Sequence, residues 1–441
     1  MVHAYTIERQ EYLSIYYRVA WYILAMDFIA ELKERGLIEH ASTDVEKILG
    51  TKRTVYIGAD PTADSLHVGH LAWVLLMKRL GQAGHNLVVL VGGGTGMIGD
   101  PKEKGERPLQ DVKAIKENVR ALKTQLKHIL GSTKFRLVDN ADWLLKTNLI
   151  EFLRDTGKYF TVNDLIKRET IKRRLNTPDE SISYTEFTYA LLQGLDYLTL
   201  NKKYGVDLQI GASDQWTNIL SGVDLLHKKE GKEVYALTIP LVTDASGKKF
   251  GKTEGNAVWL DPKKTSPLAF YQFWLNTPDE VVEKYLKIYT FLPLVEIGAL
   301  VELHSRNPGK REAQKLLAEH VTTIVHGEEA AKNARAVSEV LYGGKTLEGL
   351  SKRERSLLLA EAPSARVTVA ELNHSYSVAE ALVATKLTTS KSEARRLIEG
   401  KAVSINGEVM EAVDGVLVQA HFTGGLVLLR KGKQVAILEL S

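Results

Sequence analysis

The segment from Tyr56 to His70, Tyr-Ile-Gly-Ala-Asp-Pro-Thr-Ala-Asp-Ser-Leu-His-Val-Gly-His, constrains the fold more tightly than any other part of the chain. The β-branched run Thr54 to Gly58 predicts a strand. A polar turn follows, carrying Asp60, Pro61, Thr62, Asp64 and Ser65, and then an apolar periodicity that predicts a helix to Leu80. In an open α/β sheet, the carboxyl end of such a strand is where ligands bind.

The alternation continues. Asn86 to Val91, Phe135 to Val138, Asp207 to Ile210 and Tyr235 to Val242 read as strands separated by longer amphipathic stretches, which predicts a parallel sheet covered by helices. After Pro267 the strands give way to helical spacing at Pro267 to Leu275, Asp279 to Thr290 and Arg311 to His326. Gly343, Gly344 and the charged stretch Ser351 to Arg355 suggest a hinge, and two short helices followed by strands are expected after Ser375. At 441 residues the chain exceeds the ~250 to 300 at which single cores stop growing. The expected fold class is α/β: a Rossmann-like parallel-sheet domain at 26–255, an α-helical domain at 256–350, a linker at 351–374 and a small α+β domain at 375–441.

Composition narrows the function by exclusion. With no cysteine there is no disulfide, thiolate nucleophile or thiolate zinc site, which suits a cytoplasmic protein, and no metal site of the protein's own is expected. No run reaches the ~18 uncharged apolar residues of a membrane span. A net charge of +4 says nothing about an anionic partner, so a nucleic-acid surface has to come from local clustering. The first 25 residues hold five of the 17 tyrosines and lack the basic start and cleavage site of a secretory signal. Met26 opens an amphipathic run to Leu37 and is a candidate natural start.

His67 and His70 stand three apart at the start of the predicted helix, on one face and beside N–H groups that favour phosphate. Gly69 between them and Gly58 on the strand let a flat base approach the backbone. Taken alone, an H-x-x-H pair more often just caps a helix, and the His-Glu-x-x-His spacing of a zinc site is absent. Asp244-Ala-Ser-Gly-Lys-Lys-Phe-Gly-Lys-Thr253 is a second cationic segment; it is too irregular for a P-loop, and alone it reads equally as a solvated surface. Gly94 to Gly99 contains G-x-G-x-x-G, but Asp100 and Pro101 interrupt the helix that a dinucleotide fingerprint should open. Tyr189, Gln193 and Asp196 fall on one helix face, as they would also in an ordinary amphipathic helix.

Together, Asp60-Pro-Thr-Ala-Asp-Ser-Leu-His-Val-Gly-His70 and Lys249-Phe-Gly-Lys-Thr253 resemble the two signature motifs of class I aminoacyl-tRNA synthetases, in the form of the bacterial tyrosyl branch. The resemblance implies attack of a tyrosine carboxylate on the α-phosphate of ATP, then transfer of the tyrosyl group to tRNA(Tyr). His67, His70, Lys249, Lys252 and Thr253 would stabilise the phosphates, with Mg2+ as the counter-ion of ATP. It also implies a tyrosine pocket of Tyr56, Gly58, Asp60, Thr95, Asp100, Tyr189, Gln193, Asp196 and Gln209, with Tyr56 and Asp196 on the phenol hydroxyl. ATP contacts would come from Asp60, Thr62, Gly69, Asp214 and Gln215, although Ser213 or Asp214 reads equally as a helix cap. Ile57 and Ala59 depart from the cysteine and phenylalanine frequent in related enzymes, and Trp73 occupies a variable position near the ribose.

In the tail, Ser390-Lys-Ser-Glu393 reads as a capping box, and Asn406-Gly407 as a hairpin turn. Lys386, Lys391, Arg395, Arg396 and Lys401 cluster there, and the segment resembles an RNA-binding module shared with a small-subunit ribosomal protein. Family resemblance further implies a homodimer, formed through an insertion in the catalytic domain. Three alternatives remain open: a tryptophan-specific sister enzyme, a synthetase-derived RNA-binding protein without charging activity, and a stand-alone nucleotidylyltransferase.

Overall fold

The computed structural model describes residues 27–101, 105, 111–244, 246–247, 252–253 and 256–441. The reading of residues 1–25 lies outside them. The chain forms two compact units, one made of residues up to Lys264 with Thr277–Ala313, the other of Thr265–Asn276 with Gln314–Ser441.

The first unit is built on six strands: β1 (His40–Ala41), β2 (Thr54–Ala59), β3 (Asn86–Val91), β4 (Arg136–Asp139), β5 (Leu208–Ala212) and β6 (Tyr235–Ile239). Their order is β1-β6-β5-β2-β3-β4, parallel except for β1 at the edge. Leu87 to Val91 are all buried, as expected of a strand covered on both faces. From β2 the chain builds outward through β3 and β4, and from β5 in the opposite direction through β6. The strand order therefore reverses between β2 and β5, where Tyr56 lies in register with Gln209. That reversal opens a crevice at the carboxyl ends of the strands.

The helices follow their sequence signals. Val112–Leu130 starts at the Asp111 cap and buries Ile115, Val119, Leu122, Leu126 and Ile129, a single stripe. Tyr184–Tyr204 starts at the Ser183 cap and ends at Gly205 in the left-handed conformation that a helix stop favours. Residues 27–34 are helical, within the run expected from Met26.

The domain boundaries differ from the sequence reading in two places. Helix Asp279–Tyr289, expected in a helical domain, belongs to the first unit. Carbonyls at and just beyond its end are taken by buried arginines of that unit, Arg35 reaching Lys287 and Leu292, and Arg79 reaching the C-cap Thr290. The 351–374 segment, expected as a linker, carries helix Lys352–Glu361, strand β9 (Ser364–Val367) and a short second helix. Ser351 and Glu354 form a reciprocal capping box that starts the first of these.

The second unit packs Pro267–Leu275 with Glu328–Leu341, followed by a five-stranded sheet. Here β10 (Val403–Ile405) and β11 (Glu408–Val409) form the expected hairpin, with Asn406 and Gly407 both at positive φ. The strands β12 (Leu426–Lys431) and β13 (Gln434–Leu440) complete it, and β9 pairs with β13. Val378, Leu382, Ile398, Leu429 and Leu438 share its core. The capping box expected at Ser390 is displaced: Ser390 accepts from the Glu393 N–H, while the Glu393 carboxylate binds Thr389.

A chain ending at Pro363 keeps the capped helix and loses the small sheet cleanly. One ending at Ser375 retains β9 without β13 and exposes Val367 and Leu372, an unpaired edge that invites association. Light scattering after mild heating should show aggregation mainly in the longer truncation; equal behaviour would argue against β9 belonging to the C-terminal sheet.

Candidate active site

The crevice between β2 and β5 contains a cleft of about 440 Å³ including its mouth. Tyr56, Gly58, Asp60, Thr95, Tyr189, Gln193, Asp196, Gln209 and Gln215 all line it, with Leu90, Ile210 and Ile219 as apolar walls. Eight of the nine residues predicted for the amino-acid pocket thus meet in one place. Asp100 is not in the cleft wall; its carboxylate accepts from Gln215 at 2.8 Å and Asn218 at 2.9 Å.

The polar groups are chained together. Tyr189 donates to Asp60 at 2.8 Å, and Thr95 donates to the other Asp60 oxygen at 2.7 Å. Asn140, fully buried, donates both to Thr95 and to Asp196 at 2.9 Å and accepts from the Gly94 N–H at 2.7 Å. Trp143 donates to the second Asp196 oxygen at 2.8 Å. Sequence reasoning missed Asn140 and Trp143, although Asn140 directly follows the carboxyl end of β4, where a parallel sheet places its ligands.

Burial pushes the Asp196 carboxyl up to about 8, against the pull of Asn140 and Trp143 and with help from Asp60 and Asp139. Burial also raises the Tyr56 phenol, with Asp196 and Tyr197 adding to it. The Tyr56 ring sits edge-on to Tyr197, centroids 5.1 Å apart, and its hydroxyl is buried without a hydrogen-bond partner, as is Oε1 of Gln209. Two orphaned groups beside a buried carboxyl are costly, about 1–3 kcal/mol each, unless a guest satisfies them. The arrangement fits a flat ring ending in a hydroxyl.

The glycine motif clears space at this site. A Cβ on Gly92 would sit 2.1 Å from Asp60 Oδ1, and a short 3-10 turn, Thr95–Met97, replaces the long helix of a dinucleotide fold. At Gly58 an added Cβ would make only ordinary contact with Leu90, at 3.5 Å.

His67 caps helix Val68–Gln82, its Nδ1 accepting from the Gly69 N–H at 3.1 Å, and His70 Nδ1 accepts from the His67 N–H at 3.2 Å. A ring nitrogen that accepts carries no proton, so each neutral ring holds its hydrogen on Nε2 as a donor. The structure thus shows His67 capping the helix. Thr62 lies in the turn, its N–H on the Asp60 carbonyl. Trp73 is buried within the helix. Neither Ser213 nor Asp214 caps helix Trp216–Glu230.

The chain after the second motif returns to the first. Lys252–Thr253 (β7) pairs with Asn256–Ala257 (β8), and the chain then bonds back, Val68 N–H to Val258 and Leu260 N–H to Leu66. Lys249 lies outside the described residues. Among the described residues no group of three or more His, Asp or Glu is placed to hold a metal ion, and no helix is long and apolar enough to cross a membrane. In the second unit Lys386, Lys391, Arg395, Arg396 and Lys401 are all exposed, with Lys391 on Glu380 and Lys401 on Glu411 in surface pairs that hold little energy.

Residues 50–343 match the family described as tRNA synthetases class I (W and Y), and residues 357–438 match the tyrosine–tRNA ligase SYY-like C-terminal domain. A tyrosine–tRNA ligase of Lactobacillus johnsonii is 45% identical over 92% of this chain and 97% of its own length. One of Lactobacillus delbrueckii subsp. bulgaricus is 46% identical over 92% and 97%. A C-terminally truncated mitochondrial tyrosyl-tRNA synthetase of Aspergillus nidulans superposes with a TM-score of 0.66 at 31% identity, covering 74% of this chain and 99% of that one.

The buried carboxyl gives the cleft a pH signature. Asp196 titrates higher in the folded chain than unfolded, so the folded state binds the extra proton between about pH 4 and pH 8. Stability from this group is therefore present at the acid end and falls as pH rises to about 8, then levels off. Thermal melts of the wild type and Asp196→Asn from about pH 5 to pH 9 should converge or cross in that direction; a difference independent of pH would contradict it.

Proposed function

Because the chain belongs to the tyrosine-specific branch of the class I tRNA synthetases of the W and Y group, we propose that this cleft binds L-tyrosine and that the chain activates it with ATP and loads it onto tRNA(Tyr). The orphaned Tyr56 hydroxyl beside buried Asp196 carries the choice of amino acid. A tyrosine ring enters between Leu90 and Ile219, and its hydroxyl meets Tyr56 and Asp196. Asp60, Tyr189 and Gln193 receive the ammonium group, with Asp100 as the nearby carboxylate, and Gln209 and Thr95 complete the pocket.

The tyrosine carboxylate is already ionised and attacks the α-phosphate without a general base, forming tyrosyl-adenylate and releasing pyrophosphate. His67 and His70 donate from Nε2 as charge builds on the phosphate oxygens, and Lys249, Lys252 and Thr253 hold the departing pyrophosphate. Asp60, Thr62, Gly69, Asp214 and Gln215 position the nucleotide. Mg2+ accompanies ATP as its counter-ion. The second step transfers tyrosyl to the terminal adenosine of tRNA(Tyr), held in part by Lys386, Lys391, Arg395, Arg396 and Lys401 of the small domain. The setting is the cytoplasm.

A homodimer is supported by the exposed apolar side chains of the segment that joins β4 to helix Tyr184–Tyr204: Leu145, Leu149, Ile150, Leu153 and Val162. Ile150→Glu should shift the sedimentation coefficient toward monomer.

Pyrophosphate exchange tests the central reading. The wild type should exchange with tyrosine and not with tryptophan or phenylalanine. Tyr56→Phe should lose about 10-fold in kcat/KM for tyrosine and gain in relative acceptance of phenylalanine, the scale of one lost hydrogen bond. Exchange driven by tryptophan, or by no amino acid, would overturn the assignment.

A further inference from the structure

Helix Asp279–Tyr289 touches the framework of both phosphate motifs. Tyr285 and Tyr289 are four apart and fully buried on one face, rings edge-on with centroids 6.0 Å apart. The Tyr289 hydroxyl donates to the Val68 carbonyl at 3.3 Å, and Val68 is the first residue of the helix that carries His70. The Tyr285 hydroxyl donates to the Thr243 carbonyl at 2.9 Å, just ahead of the lysine segment.

The helix is fixed to the histidine helix at a second point. Arg79, in the last turn of Val68–Gln82, donates to the Thr290 carbonyl, and Arg35 donates to the Lys287 and Leu292 carbonyls. Beyond the lysine segment the chain is tied to the histidine motif directly, through Val258 and Leu260. Ahead of it, at Thr243, the connection runs through the Tyr285 phenol. Packing alone would be served as well by phenylalanine, since a buried hydroxyl costs free energy unless bonded.

We propose that Tyr285 is a positioning residue for adenylate formation, holding the entry to the lysine segment in register with His67 and His70 by way of Tyr289 and Arg79. The proposal rests on the phosphate-binding reading of those motifs. Tyr285 acts through Thr243 on groups that stabilise the transferring phosphate, where small displacements are expensive in rate. Its hydroxyl affects ATP and not the tyrosine pocket, whose residues stand on β2 and the turn after it, the 3-10 turn Thr95–Met97, β5 and helix Tyr184–Tyr204.

The test is pyrophosphate exchange with ATP and tyrosine varied separately, beginning with the wild type. In Tyr285→Phe, kcat/KM for ATP should fall about 10-fold while KM for tyrosine stays within about twofold. Tyr271→Phe, which removes a buried hydroxyl from the second unit, should leave both unchanged. In a Lys252→Ala background, Tyr285→Phe should add less than about twofold, because coupled positions are not additive. Wild-type ATP kinetics in Tyr285→Phe, equal loss toward both substrates with a lower melting temperature, or full additivity with Lys252→Ala would each overturn the proposal. A wild-type chain with no tyrosine-dependent exchange would overturn the functional reading and the proposal with it.

Discussion

The buried carboxyl of Asp196 sets the terms for everything around it. Removing a carboxylate from water is costly unless hydrogen bonds replace the lost solvent. Asn140 and Trp143 supply two of those bonds, and Asn140 in turn reaches Thr95 and through it Asp60. Tyr189, Asp60, Thr95, Asn140, Asp196 and Trp143 therefore form one connected polar network. It stops short of the Tyr56 hydroxyl and Gln209 Oε1, which are buried without a partner. In the function we propose, those open ends make the cleft selective: a hydroxyl-bearing ring completes the network, and a bare ring leaves it broken.

The sheet explains why these groups converge. Reversal of strand order between β2 and β5 brings Tyr56 next to Gln209, though they are distant in sequence, and leaves room above the strand ends. The same strand end leads into the histidine helix, so the proposed amino-acid and phosphate sites are adjacent outcomes of one β-strand, turn and helix. His67 caps the helix with one ring nitrogen, which orients the other.

Much of this was legible in the sequence because the signals are local. The β-branched runs predicted β2 to β6 to within a few residues, and the helical spacing from Pro267 to Leu275 matches its helix. What stayed hidden depends on contacts between distant segments. Helix Asp279–Tyr289 has an ordinary amphipathic pattern, and only its contacts with distant segments, the buried arginines at its end and the Tyr285 and Tyr289 hydroxyls, show which unit it joins. β9 is four residues long and polar on one face, so its membership in the small sheet comes from pairing with β13. Asn140 and Trp143 carried no motif, since their role is to hold Asp196. Ser351-Lys-Arg-Glu354 is the exception, a capping box present in the sequence and read there as a hinge.

The central claim is that the cleft recognises a phenol hydroxyl through Tyr56 and Asp196. Calorimetric titration of the purified wild-type chain with L-tyrosine and L-phenylalanine tests it without chemistry or tRNA. The account predicts saturable tyrosine binding and phenylalanine binding weaker by at least about 10²-fold, since the phenylalanine ring leaves buried polar groups unpaired. Comparable affinity for the two amino acids would contradict it.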